Sequence, residues 1–255
     1  TEVTGGVNVW SSYAASVEML EIYNEEPGDT LRRNATFFTQ GTYYDYICIS
    51  EGGYTYDDTG APIKKGVVGG PDDDNDGYVQ SMNSPLNTYI LRLADVYLTY
   101  AEACLGNNEK LTEGPGLEYF NKVRYRAFDG KGDWEKTSID FEDIIRERRV
   151  EFCMEYCNWY DMVSWYCWKP DYMLTYFNSQ KRGERATVVK RDEDQPGRLL
   201  LGTEDYTGTF QEGVYEEPQI EINIADDDIF FPYPESEVIQ NPLLKEEPVP
   251  YNFNE

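Results

Sequence analysis

The chain contains no histidine. That absence removes Ser-His-Asp triads, Cys-His dyads and His-ligated zinc together. Any catalysis would rest on carboxylates, Lys, Tyr or Cys. Cysteine is sparse and badly spaced for metal. Cys48, Cys104, Cys153, Cys157 and Cys167 make an odd set with no CxxC pair, which argues against zinc and thioredoxin-like chemistry. Cys153 and Cys157 have i, i+4 spacing, so they are expected on one helix face as small buried residues. No apolar run approaches the roughly 20 residues that span a bilayer. The chain begins at Thr1 without a signal peptide and reads as a processed or truncated piece.

Basic residues are also scarce. Against 48 Asp and Glu there are only 22 Lys and Arg, a net charge of −26. Nucleic acid is excluded as a natural partner, because its phosphates would be repelled. An anionic membrane surface is equally unsuitable. Lys190–Glu255 carries half of the excess. What the chain has in quantity is aromatic surface: 15% of residues, with 22 Tyr. Tyr joins an apolar ring to a polar tip and suits binding surfaces.

The apolar pattern is helical in the middle of the chain. A short helix is expected over Ser16–Asn24, capped by Ser16 and stopped by Pro27-Gly28. Residues 42–56 read as two strands around Gly52-Gly53. Ile90, Leu93, Ala94, Tyr97, Leu98, Ala101, Cys104 and Leu105 recur at steps of three and one, which predicts a helix over Asn87–Leu105. A second helix is expected over Gly116–Phe128 and a third from an Asp140 N-cap to about Tyr156. Residues 158–168 form another helical segment, with Trp159, Trp165 and Trp168 as packing residues. Residues 169–228 read as loops with a hairpin around 186–201. The proline-rich end reads as an extended path over other segments. The chain thus divides into a loop-rich stretch (1–83), a helical scaffold (84–168), and variable loops with a C-terminal segment that packs on the scaffold (169–255). Two helices joined by a short polar loop match one tetratricopeptide-like unit.

Four blocks carry a resemblance. Tyr89–Ala103 (YILRLADVYLTYAEA) is similar to "RLAEVYLMYAEA". Leu117–Ala127 contains Phe120-Asn121-Lys122-Val123-Arg124, similar to "LNKVR". Ile144–Phe152 followed by Trp159–Val163 is similar to "ERRxEFxxEGxRWYDLVRW". Phe231–Glu237 with Asn241-Pro242 is similar to "FPIPQSEIxxNP". Asp29–Phe38 (DTLRRNATFF) adds a weaker match to "GDPRRDATFF". In this order the blocks resemble the C-terminal half of the SusD/RagB family of Bacteroidetes outer-membrane nutrient-binding lipoproteins. Asn158 and Ser164 stand where the family usually has Arg, so a thinner ion-pair network is expected there.

The resemblance implies a mainly α-helical fold, a tetratricopeptide-like scaffold with long loops and short β-strands. It implies non-catalytic capture of glycans at the cell surface, with delivery to a SusC-like TonB-dependent transporter. The protein would sit on the outer membrane, lipid-anchored through a segment absent from this chain. The missing N-terminal half of the family fold would be a further partner. A peptide-binding member of the family and an interaction module without ligand are the alternatives.

Candidate site residues follow from chemistry. Aromatic faces stack on the C–H faces of sugars. Trp10, Tyr43, Tyr44, Tyr54 and Tyr56 lie in turn-rich sequence and are the candidates for ligand contact, though strand alternation would bury about half of the hairpin tyrosines. Asp72, Asp74 and Asp76 fit D-x-[DN]-x-[DN]-G, with the Tyr78 carbonyl as a further ligand. Position 12 of that loop is Asn83, unlike an EF-hand, so a stand-alone calcium loop and a solvated acidic loop both stay open. No cofactor is required otherwise. The dense Glu and Arg of the 144–155 block are expected to pair with each other and with Arg124 or Arg126. Asp57-Asp58 and Asp226–Asp228 are the carboxylates a glycosidase would need, but acidic pairs are common at this composition.

Overall fold

The structure is a computed structural model and describes residues 14–70, 72–73, 79, 85–217 and 221–246. Helix α1 (Val17–Glu25) starts at Ser16, whose hydroxyl accepts from the Met19 N–H at 3.2 Å. Helix α2 (Thr30–Thr36) follows, then strands β1 (Thr42–Tyr44) and β2 (Tyr54–Tyr56), paired antiparallel. Four helices form the scaffold: α3 (Leu93–Leu105), α4 (Pro115–Ala127), α5 (Phe141–Glu151) and α6 (Asn158–Trp168). Helix α7 (Pro170–Ser179) leads to a three-stranded antiparallel sheet of β3 (Val188–Arg191), β4 (Leu199–Glu204) and β5 (Phe210–Glu212). Helix α8 (Glu235–Gln240) lies near the end. The fold is mainly α. Among the described residues no helix is long and apolar enough to cross a membrane.

Periodicity explains the scaffold. On α4, Leu117, Phe120, Val123 and Ala127 are all buried, as spacing demands. Pro115 occupies the first turn, where its missing N–H costs nothing. Helix α5 opens with a reciprocal box: Asp140 accepts from the Asp143 N–H, and Asp143 accepts from the Asp140 N–H, both at 3.1 Å. The main core gathers Leu98, Leu105, Phe120, Ile144, Met162, Trp165, Met173 and Phe177. Each such side chain contributes about 1.5–3 kcal/mol on burial. Trp165 is buried and Trp159 and Trp168 pack against the same core. A second core joins Leu20 and Tyr23 of α1 to Val150 of α5 and to Val189, Leu199 and Leu201 of the sheet. Segments from all three sequence stretches therefore pack into one another.

Several expectations need correction. Helix α3 begins at Leu93 instead of Asn87. Ile90 is 98% exposed and Leu93 62% exposed, so the predicted apolar face is fully covered at Leu98, Ala101 and Leu105, partly at Ala94, Tyr97 and Cys104, and not at its N-terminal end. Arg92 is extended (φ −123°, ψ 157°) and breaks the helix there. Helix α5 ends at Glu151, not near Tyr156, because Met154 and Tyr156 take positive φ in the turn that follows. Cys153 and Cys157 consequently share no helix face: Cys153 lies in that turn and Cys157 is the N-cap of α6. All five cysteines are free thiols. Helix α7 falls where loops were expected, as does β5. The proline-rich end contains α8 and a short 3-10 turn in place of a wholly extended path.

Candidate ligand-binding site

Pleating sorts the hairpin tyrosines. Tyr44 pairs with Tyr54 and Thr42 with Tyr56, so these four share one face and Tyr43 the other. Tyr44 and Tyr56 are buried against Phe38, with ring centroids 5.2 and 5.5 Å away. Burial pushes both phenols up to about 12. They are core residues of the hairpin, and strand alternation removes them from ligand contact. Tyr54 is half-buried, with its ring edge-on to Phe38. Tyr43 is exposed, and its hydroxyl donates to the Gly52 carbonyl at 2.7 Å. Its ring lies where a Cβ on Gly53 (φ +104°) would stand, so glycine is required there on two counts. Lys64 places its ammonium 5.0 and 4.9 Å from the Tyr44 and Tyr46 rings. Tyr43, Tyr46 and part of Tyr54 are what this hairpin offers a ligand. Trp10 lies outside the described residues.

The acidic loop is described only in part. Asp74, Asp76 and Tyr78 lie outside the described residues, and Asp72 is exposed. The informative residue is Asp73, which the metal pattern skips. It is buried and accepts from the N–H groups of Ile49 at 2.8 Å and Gly70 at 2.7 Å. Burial alone would raise its pKa, but these bonds and one from the Cys48 N–H hold it below the ordinary carboxylate value. Asp73 thus ties the start of the loop to the hairpin. Among the described residues, no group of three carboxylates or thiols could hold a metal ion.

A concavity of about 770 Å³ lies where α2, the start of α3 and the end of α5 meet the 65–68 segment. Its floor is the ion-pair network expected from the 144–155 block. Glu151 receives Arg92 at 2.9 Å, Arg126 at 2.5 Å and Arg32 at 3.4 Å. Arg92 spans to Glu155 at 2.7 Å, and Arg32 to Glu147 at 2.6 Å. Burial opposes the charge of Glu151, but Arg126, Arg32 and Arg92 hold its carboxyl below the ordinary range. Lys65 adds bonds to the Glu151 and Cys153 carbonyls at 3.3 and 2.8 Å. Because these charges largely satisfy one another, their first role is to lock α2, α3 and α5 together. Nearby, Arg148 joins Asp161 (2.8 Å) to Asp95 (2.7 Å), so pairing is dense around α6 even without the usual arginines. Above the floor, the wall is apolar: Val67, Tyr89, Met154 and Tyr156.

Sequence reasoning named Arg124 and Arg126 as ion-pair partners but missed Arg32, Arg92 and Lys65. A signal was present for two of them, since Arg32 and Arg92 stand inside the quoted DTLRRNATFF and YILRLADVY blocks. The glycosidase carboxylates are not gathered in a cleft. Asp57 and Asp58 are exposed at the hairpin end, and Asp226–Asp228 form an exposed 3-10 turn.

A sequence profile of the SusD family matches residues 32–249, most of the chain. The chain belongs to the SusD family. It is 66% identical to a SusD-like protein of Bacteroides ovatus, an alignment that covers all of this chain and 46% of that protein. A SusD-like protein P25 of Formosa agariphila is 39% identical over 31% of this chain and 15% of its own length. A crystal structure of a protein with xylogluco-oligosaccharide superposes with a TM-score of 0.86 and 64% identity, over all of this chain and 50% of that one. A second crystal structure gives a TM-score of 0.89 at 65% identity, over 49% of its length. This SusD-family chain therefore spans about half the length of the close relatives it matches. The tetratricopeptide-like packing of α3 on α4 and the mainly α fold accord with that membership.

Proposed function

We propose that this chain belongs to a non-catalytic glycan-binding protein. The observation that carries the reading is whole-chain similarity, 64% identity with a TM-score of 0.86, to a structure bound to xylogluco-oligosaccharide. A neutral β-glucan-type ligand suits the chemistry. A net charge of −26 disfavours acidic polysaccharides, whereas exposed tyrosines and abundant carboxylates suit C–H faces and hydroxyls.

By the same family logic the protein works at the outer-membrane surface. It is lipid-anchored through a segment outside this chain and hands its ligand to a SusC-like TonB-dependent transporter. An anchor beside the channel raises the local ligand concentration there. The N-terminal half of the family fold would cover the exposed Ile90, Leu91 and Leu93. A calcium ion on Asp72, Asp74, Asp76 and the Tyr78 carbonyl is a separate proposal, supported by the spacing alone.

Affinity electrophoresis of the full-length protein tests this reading, using neutral and acidic polysaccharides with calcium and with chelator. Retardation by xyloglucan is the expected result. Loss of that retardation with chelator would support the calcium loop. No retardation by any polysaccharide would refute glycan binding and favour the peptide-binding reading, which predicts a salt-sensitive preference for cationic peptides.

A further inference from the structure

A second groove, of about 640 Å³, runs between α4 and the 134–137 segment that leads into α5. One wall comes from the Leu117–Ala127 block, and none of the candidate ligand residues named from the sequence lies in the groove. We propose that it is a second subsite for a neutral oligosaccharide, an inference that rests on the glycan reading above and extends it.

The groove holds a fixed aromatic step. Tyr125 is 55% exposed and stands perpendicular to Trp134, with ring centroids 5.1 Å apart at 87°. The walls are held in place from behind. Buried Arg124 donates from Nε to the Trp134 carbonyl at 2.6 Å. Buried Asn121 clamps Lys136 twice, donating to its carbonyl at 2.8 Å and accepting from its N–H at 2.9 Å. Gly130 (φ +65°) lies so close that a Cβ would meet the Tyr125 ring at 2.7 Å. A site that is already rigid loses little order on binding.

The rim supplies the polar half of sugar recognition. Glu113, Glu118 and Glu135 line the groove, and among the described residues their carboxylates carry no ion pair or hydrogen bond. Each can accept two hydroxyl hydrogens. Lys122 and Lys136 also line the groove, but their ammonium groups are engaged elsewhere: Lys122 lies 4.5 Å from the Tyr119 ring centroid and Lys136 pairs with Asp143 at 3.1 Å. Three carboxylates against two lysines leave the lining slightly negative, which disfavours acidic sugars. Exposed aromatic area, unspent carboxylates and a rigid wall together favour the C–H faces and hydroxyls of neutral rings. A polymer held here and at a principal glycan site would be bound twice, so the groove would add more affinity for polysaccharide than for a short oligosaccharide.

The test uses the full-length protein with xyloglucan and with a short xylogluco-oligosaccharide. The variants are Tyr125→Ala, Tyr125→Phe and Glu118→Gln, all at exposed positions. The expected result is about a 3- to 10-fold loss of polysaccharide affinity for Tyr125→Ala, the range an aromatic contact carries. Tyr125→Phe should bind as wild type, and Glu118→Gln should lose about 2-fold. Thermal midpoints should match wild type, and oligosaccharide affinity should change less than polysaccharide affinity. Wild-type polysaccharide affinity in both Tyr125→Ala and Glu118→Gln would overturn this subsite while leaving glycan binding intact. Failure of the wild-type protein itself to bind xyloglucan would overturn the glycan reading and this subsite with it. Competition at this groove by a cationic peptide but not by the oligosaccharide would also overturn it. Should Tyr125→Ala lower the thermal midpoint, Glu118→Gln decides alone.

Discussion

Arg124 has a side chain only 1% exposed, the least of any cation among the described residues. It pairs with Glu147, also 1% exposed, at 3.0 Å, and with Glu26 at 2.9 Å. It also donates to the Trp134 carbonyl. Replacing it with Met keeps most of the volume and removes every one of these bonds. Breaking a buried pair by removing one partner costs about 3–5 kcal/mol. The lower end applies here, because Glu147 keeps Arg32 at 2.6 Å and Glu26 keeps Arg146 at 2.7 Å. Losing the donor to the carbonyl adds about 1 kcal/mol. Arg124→Met is therefore expected to lose about 4 kcal/mol. With a urea m-value of about 3 kcal/mol/M, the midpoint falls by roughly 1.3 M, read by circular dichroism and tryptophan fluorescence. Arg124→Met combined with Glu147→Met removes both charges, and the cycle should return a coupling of about 1–3 kcal/mol. A single-variant loss below about 1 kcal/mol, or no coupling, would refute the view that this network ties α1, α4 and α5 together.

The hairpin gives a sharper contrast between neighbours. Tyr44→Ala empties a buried ring site and should cost about 3–5 kcal/mol in urea unfolding, whereas Tyr43→Ala should cost under about 1 kcal/mol; equal losses would contradict the assigned faces. In the 255-residue chain, Leu98→Ala should cost about 2–5 kcal/mol and Leu93→Ala within about 0.5 kcal/mol; a large loss at Leu93 would show that its face is covered. Acid stability follows from the depressed carboxylates. Glu151 and Glu26 are held below the ordinary value by their arginines, against the effect of burial, so their stabilisation is complete above the unfolded pKa of about 4.3 and disappears as pH falls through the folded one. Burial instead raises Glu102 and Asp161, whose contribution runs the other way and offsets part of that loss. Urea midpoints from pH 7 to pH 3 should therefore fall below about pH 4.3, and Glu151→Gln should flatten the fall; a slope unchanged in Glu151→Gln would refute the assignment.

How far the sequence could be read depends on the range of the interaction involved. Local rules held where a helix buries a whole stripe: Leu117, Phe120 and Val123 on α4, or the Asp140 cap of α5, need only neighbours three or four residues away. They failed where a distant partner decides. Helix α3 starts later than its apolar pattern because the extended backbone of Arg92 delivers a guanidinium to Glu151 and Glu155. Nothing within residues 87–105 encodes that destination. Helix α7 was missed although Pro170 at its start and the i, i+4 pair Met173 and Phe177 were available as signals. Polar neighbours diluted its pattern, and both residues prove fully buried. The site was less legible for the same reason. Aromatic content pointed to the hairpin, but only the register shows that Tyr44 and Tyr56 face inward. The acidic run pointed to a cation, yet Asp73, the residue outside the metal pattern, fastens the loop to backbone N–H groups. Tyr125 and Trp134 lie in sequence that reads as a helix end and a polar turn, and they form a surface only because Arg124 and Asn121 hold that turn against α4. A binding surface assembled by buried polar side chains is invisible to periodicity, which registers what is apolar and close. The buried polar residues of α4 were therefore the better guide to the groove, since a buried Asn and Arg must find backbone partners and so fix the loop that supplies them.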